Sequence, residues 1–354
     1  MITKVHNNPS LNQRSERDSN FELLRLLAMW FILTYHFISF FIVKLDDNPI
    51  YKTIQLPLHV AVICFVLISG YFHIKTSLRG LCKLILPLII IYLPLTAYAY
   101  FNHTSGVGLM DFMFFSHSPY WFIRAYACLF LMAPVLNWFL TSNTRRIYFL
   151  IMTGFLSIYL GLMREPSLGG GKNFLLFSFL YAIGDYLREN KSMLDKIKTG
   201  NIVLFYCLLN VVICTTYYFL HSTMVGKVLW NLSFPYCSPL LILNALLLFL
   251  IFSRVKIKSK SINWLSASVF AVYVIHQQPL VLFIGIQPFI ERIYELSNSM
   301  VGVLSLVAFF SLVVLFSSIL IDKILNPITV AVCNLASKFD KNVLSRHQSD
   351  LFLK

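Results

Sequence analysis

Long apolar runs broken by short polar stretches organise this chain from about residue 21 onward. Ten such runs are visible, near 21–43, 54–74, 81–101, 119–140, 146–163, 172–188, 200–221, 235–254, 264–288 and 300–322. A bilayer core of roughly 30 Å is crossed by about 20 helical residues, and a helix in lipid satisfies its backbone polar groups internally. The pattern therefore predicts an all-α polytopic membrane bundle of about ten transmembrane helices. The sixth run is the weakest, since Gly169, Gly170 and Gly171 precede it and Asp185 and Arg188 sit at its end. A short, tilted or broken helix is expected there.

Composition sharpens this picture. The chain is 58% hydrophobic and 12% charged, against about a quarter charged in soluble domains. The expected layout is a polar cytoplasmic segment over 1–20, a membrane domain over 21–324, and a basic cytoplasmic or interfacial tail over 325–354. The first apolar run lacks a small-residue cleavage pattern and reads as a retained span. In the tail, Ile328, Val332, Leu335 and Phe339 fall at helical spacing beside Lys338, Lys341 and Arg346. That pattern fits an interfacial helix on anionic lipid, or equally a frayed polar end.

The net charge of +14 changes the topology rather than the function class. Nucleic-acid binding needs basic residues gathered on one soluble face, and here they are spread through short loops, so no nucleic-acid partner is expected. Basic loops stay cytoplasmic. With the N-terminus inside, the strong inner loops are Lys75/Arg79/Lys83, Arg188/Lys191/Lys196/Lys198 and Arg254/Lys256/Lys258/Lys260. The outer loops keep only Lys44, Lys52, Arg164, Lys172, Lys227 and Arg292. Both termini are therefore expected in the cytoplasm of a multi-pass protein of the cell membrane, with the loop around 102–118 outside.

No stretch outside the spans is long enough for a soluble catalytic domain, so any chemistry must sit among the helices. Ionisable side chains inside a span are costly and are functional candidates by default. In the first span these are Glu22, Arg25 and His36. Arg25 and His36 are eleven residues apart, which returns to within about 20° of the same helix face and separates them by roughly 16 Å along the axis. Glu22, three residues before Arg25, can pair with it. Such a stripe can line a cleft for a long anionic donor, with His36 at its reactive end as a proton acceptor near neutral pH. The alternative is a positive-inside anchor and a helix–helix hydrogen bonder.

The stretch from Phe21 to Arg25 and the following His36 resemble the opening signature of the acyltransferase-3 family of membrane proteins. Four further stretches are similar, in order. Cys64 to Phe72 resembles its FFVLSGF element, with one additional residue before Ser69-Gly70. Arg79 and Lys83 before Leu86-Pro87 resemble a basic stretch ending in Leu-Pro, and Tyr120 to Pro134 resembles a span with the pattern WFL…YL…P. Tyr273 to Pro279 resembles a Tyr-Leu-Ile-His-x-Pro element, with an extra Gln between His276 and Pro279. The resemblance covers roughly 20–325. It implies a donor of the acyl-coenzyme A type arriving from the cytoplasm, no tightly bound cofactor, and a hydroxyl acceptor on a cell-surface or lipid-linked carbohydrate.

On this basis His36 and His276 are the catalytic candidates, and Arg25, Arg79 and Lys83 the donor-phosphate ligands. His36 is either a general base or the residue that carries the acyl group. His276 is expected midway along the ninth span, one turn from Tyr273. Arg124, beside Trp121, either holds an anionic acceptor group or snorkels to the headgroups. Ser69-Gly70 reads as a close helix approach rather than a nucleophile, because no Gly-x-Ser-x-Gly elbow surrounds it. His59, His73, His103, His117 and His221 lie near span ends or in loops and are expected to be ordinary wet histidines, His117 being the one nearest the Tyr-Trp element. Asp185 and Asp322 are expected to pair with Arg188 and Lys323. No metal is expected, since no cluster has ligand spacing. The rival classes are a transporter or flippase for a lipid-linked or secreted glycan, for which related halves are the usual sign, and an inactive scaffold.

Overall fold

The computed structural model describes residues 18–103, 107–113, 120–163 and 166–351, with backbone alone for 166–168 and beyond 335. The described residues form helices and no strand. The longer helices are α1 (Ser19–Leu45), α2 (Pro49–Phe72), α3 (Leu78–Phe101), α4 (Trp121–Leu140) and α5 (Asn143–Leu162). They continue with α6 (Phe174–Glu189), α7 (Thr199–Leu220), α8 (Met224–Ser233) and α9 (Pro239–Ser253). The last are α10 (Lys260–His276), α11 (Leu280–Leu296) and α12 (Met300–Leu351). His117 and Arg164 lie outside the described residues, as do most of the 1–20 segment and the side chains of Lys338, Phe339, Lys341 and Arg346.

Against the ten spans expected, seven helices among the described residues are long and apolar enough to cross a membrane, or eight if α10 and α11 count as one broken span. The run at 264–288 is not one straight helix: α10 and α11 meet at 83°. Pro279 lacks the N–H that would continue the ladder. The runs at 172–188 and 235–254 form α6 and α9, of 16 and 15 residues. At 1.5 Å per residue these reach about 24 and 22 Å, short of the bilayer core.

Short helices are tolerated at membrane depth where protein covers their ends. α6 is such a case, because Leu176, Phe177, Leu180, Tyr181 and Ala182 are all buried. Gly70 and Gly184 make its contact with α2 possible. A Cβ on Gly70 would collide with the Tyr181 carbonyl oxygen, and one on Gly184 with that of Leu67. The close approach read from Ser69-Gly70 is thus an α2–α6 crossing. Exposure sorts the helices between centre and rim: the most apolar window of α2 is 78% buried, that of α7 only 17%. On α5, Ile151 and Phe155 face outward, as do Leu204 and Leu208 on α7 and Phe309 and Phe316 on α12. This is the surface lipid would cover.

α2 ends at His73, whose backbone lies in the left-handed region at φ 57°, strained for a residue with a Cβ. Three groups converge on the fully buried carboxylate of Asp185 to hold the turn: His73 Nε2 at 2.6 Å, Arg146 Nε at 2.6 Å and Arg188 at 2.9 Å. The pairing with Arg188 is as expected, while Arg146 and His73 were unforeseen. His73 is no ordinary wet histidine.

Candidate active site

One cavity of about 890 Å³ runs into the bundle between α1, α2, α3, α4, α10 and α12. Glu22, Arg25, Arg79 and Lys83 line one end, and His36, His59, Trp121, Tyr236 and Tyr273 are also on its walls. The first-span stripe is therefore real: Glu22, Arg25 and His36 share the cavity face of α1, as their spacing requires. Between the two ends the lining includes Met29, Ile32, Phe65 and Phe122, so the passage is largely apolar.

At the basic end an Arg25 nitrogen donates to Glu22 Oε1 at 2.5 Å. Glu22 is buried, and its second oxygen has no hydrogen-bond partner among the described residues. Arg25 thus keeps Glu22 neutralised and offers its remaining donors to the cavity.

At the inner end His36 and His276, 240 residues apart in sequence, meet with His36 Nδ1 2.9 Å from His276 Nε2. Their rings lie 5.2 Å apart, and Phe40 stacks on His36 at 4.9 Å. Proton accounting then orients the pair. His276 Nδ1 is 2.9 Å from the Val272 carbonyl, which only accepts, so this nitrogen carries the proton of neutral His276 and its Nε2 is an acceptor. A direct hydrogen bond between the rings therefore takes its proton from His36 Nδ1. That leaves the lone pair of His36 on Nε2, the atom a base or nucleophile uses. The Gln277 amide nitrogen lies 2.7 Å from His36 Nδ1 and 3.2 Å from His276 Nε2. Its oxygen has no partner among the described residues, and turning the amide end for end makes that oxygen a second acceptor for His36 Nδ1–H.

His276 was expected midway along a span, but it ends α10 at the 83° break and is fully buried behind His36, off the cavity wall. It contacts His36 and is not part of the cavity lining. Both histidines are followed by wide π-helical turns, Ile38–Ile42 after His36 and Leu280–Ile286 after His276. Such insertions re-aim side chains and recur at functional sites. Tyr273 is buried against His276 as an edge-on ring 5.7 Å away.

The other candidates separate cleanly. Trp121 lines the cavity, with Lys172 Nζ 5.8 Å from its ring centre and Tyr236 at 5.0 Å. Arg124 is exposed and is not part of the lining. Asp322 lines the cavity, and Lys323 lies over the Trp264 ring at 4.6 Å. No group of three metal-binding side chains occurs among the described residues.

His59 contradicts the expectation of a wet histidine. It is 6% exposed, lines the cavity, and packs among Tyr35, Phe234 and Tyr236 at 4.7, 4.3 and 4.3 Å. Neither ring nitrogen has a hydrogen-bond partner among the described residues. The Tyr35 ring, 5.3 Å from His36 and 4.7 Å from His59, links the two imidazoles. Hydropathy placed His59 at a span edge, and only the burial of α2 reveals it.

A family model described as an acyltransferase domain matches residues 18–322. No match is found among curated proteins or among solved structures. The match takes in Arg25, His36, Arg79, Lys83 and His276 and ends within α12 at residue 322, and the chain belongs to the acyltransferase-3 family of integral membrane proteins.

Proposed function

We propose that this acyltransferase moves an acyl group, acetyl in the first instance, from acyl-coenzyme A to a hydroxyl of a cell-surface or lipid-linked carbohydrate. The observation that carries the reading is the single cavity joining Arg25, Arg79 and Lys83 to His36. Arg25 and His36 are roughly 16 Å apart along α1, the reach of about five extended residues. A donor that contacts both must carry its acyl group on a long, slender, weakly polar arm below an anionic head. A coenzyme A thioester has that form, and a small acyl phosphate does not.

In this reading the basic end opens to the cytoplasm of the cell membrane, and both termini lie on that side, in line with the Lys/Arg bias. Arg25, Arg79 and Lys83 bind the phosphates by charge-assisted hydrogen bonds. His36 then acts through Nε2 by one of two routes. In the direct route Nε2 takes the proton of the acceptor hydroxyl while its oxygen attacks the thioester carbon. The C–S bond breaks and the thiolate leaves with that proton. In the two-step route Nε2 itself attacks, the C–S bond breaks and the thiolate leaves, and the acceptor oxygen then displaces the acyl group from the imidazole while its hydroxyl proton passes to the thiolate. His276, fixed by Val272, holds the proton on His36 Nδ1 in both.

Donor kinetics test the assignment of the basic end. Loss of a charge-assisted contact is worth about 1.5–3 kcal/mol, so Arg25→Ala is expected to raise donor KM by roughly 10–100-fold with acceptor KM unchanged. Arg25→Lys keeps a counter-charge for Glu22 but loses the planar fork and should recover only part. A change confined to the acceptor constant would remove Arg25 from the donor site.

A further inference from the structure

α12 carries a polar line of its own. Asp322, Asn326, Thr329 and Cys333 follow one another at intervals of four, three and four residues, the repeat of one helix face, and all four line the cavity. The other faces of the same stretch present Ile321, Ile324, Ile328 and Leu335 outward. A polar line on an otherwise apolar stretch, turned into a cavity, offers a ligand convergent hydrogen-bonding groups. This line sits at the level of the cations: Cys333 Sγ is 4.0 Å from the Arg79 carbonyl oxygen, and Arg79 and Lys83 line the same end.

The two facing walls differ in chemistry. The α1 and α3 side offers guanidinium and ammonium groups, which suit phosphate oxygens. The α12 side offers an amide, a hydroxyl and the Asp322 carboxylate, and a carboxylate repels phosphate. A ligand part that fits there is uncharged, carries donors and acceptors, and is attached next to phosphates. Toward His36 the lining turns to Met29, Ile32 and Phe122, which offer nothing to such a group.

We infer that the Asp322–Asn326–Thr329 face of α12 binds the nucleoside of a nucleotide-borne acyl donor, opposite the cations that bind its phosphates. This rests on the acyl-coenzyme A reading above. Asn326 and Thr329 hydrogen-bond the base edge or the ribose, and Asp322 accepts from an amino or hydroxyl group. α12 therefore selects nucleotide carriers over other polyphosphates.

Equilibrium binding to the purified full-length protein tests this without turnover, with adenosine 3′,5′-bisphosphate and inorganic pyrophosphate as probes. Two neutral hydrogen bonds together amount to roughly tenfold in affinity. Wild type should bind the nucleotide at least about tenfold more tightly than pyrophosphate. The double variant Asn326→Leu/Thr329→Val should lose most of that preference and keep its pyrophosphate affinity, which also shows that it is folded. Equal affinities in wild type, no binding of either probe, or a preference that survives the double variant would overturn the inference. Nucleotide preference without acyl transfer to any sugar would leave the α12 assignment in place and overturn the transfer reading instead.

Discussion

Replacing His36 with alanine is expected to abolish acyl transfer while leaving a folded, inserted protein. Loss of a general base costs about 10²–10⁴-fold in rate, and loss of an acyl-carrying nucleophile removes the two-step route altogether. The fold should tolerate the change, because His36 lies on the cavity wall and alanine deletes a polar group from a span. His36→Gln retains size and polarity but has no basic nitrogen, so it should be equally inactive. Transfer assayed at matched expression, with hydroxylamine trapping for an acyl-imidazole, separates the routes. Near-normal transfer by both variants would return His36 to a packing role. The neighbouring His276→Ala should act differently: it leaves Nε2 of His36 in place but frees its tautomer, so a reduced rate is expected rather than none.

The largest expected effect on stability lies at Asp185. Its carboxylate is fully buried and receives Arg146, Arg188 and His73 within 2.9 Å. Removing one partner of a buried ion pair costs about 3–5 kcal/mol, because the other charge is stranded. Arg146, 6% exposed, is the charge that Asp185→Ala strands, whereas Arg188 can turn toward solvent. The strained turn at His73 loses its anchor as well. A marked fall in the thermal unfolding midpoint in detergent is the expected result, and Asp185→Leu/Arg146→Met should recover much of it, since an apolar pair of similar volume removes both charges together. A midpoint equal to wild type for Asp185→Ala would show the cluster to be solvated.

What the sequence revealed follows the range over which each feature is encoded. The α1 stripe is local, so helical spacing alone put Glu22, Arg25 and His36 on one face. The His36–His276 contact joins residues 240 apart, and spacing says nothing of it. Only the family resemblance brought His276 forward, and neither spacing nor resemblance indicated that it stands behind His36 rather than in the cavity. His59 and His73 were misread for one reason: distance from a span centre was taken as exposure, yet α2 is packed on most sides. Arg146 was missed because Arg188 is the nearer cation in sequence, though Arg146 lies 2.6 Å from Asp185. Hydropathy registers apolar length and not cover by neighbours, so it did not set the short α6 and α9, of 16 and 15 residues, apart from the longer spans. The polar face of α12 was present as spacing, but the boundary expected at residue 324 divided it.

In the proposed reaction the cavity passes an acyl group from a coenzyme A thioester to a carbohydrate hydroxyl. Purified protein incubated with acyl-labelled acetyl-coenzyme A and a panel of glycan acceptors measures this directly. Label should appear on the acceptor as an alkali-labile ester with wild type and not with His36→Ala. No label on any acceptor, with the thioester intact, would contradict the transfer reading, and an acceptor that then crosses a sealed vesicle membrane carrying the protein would make the cavity a transport path.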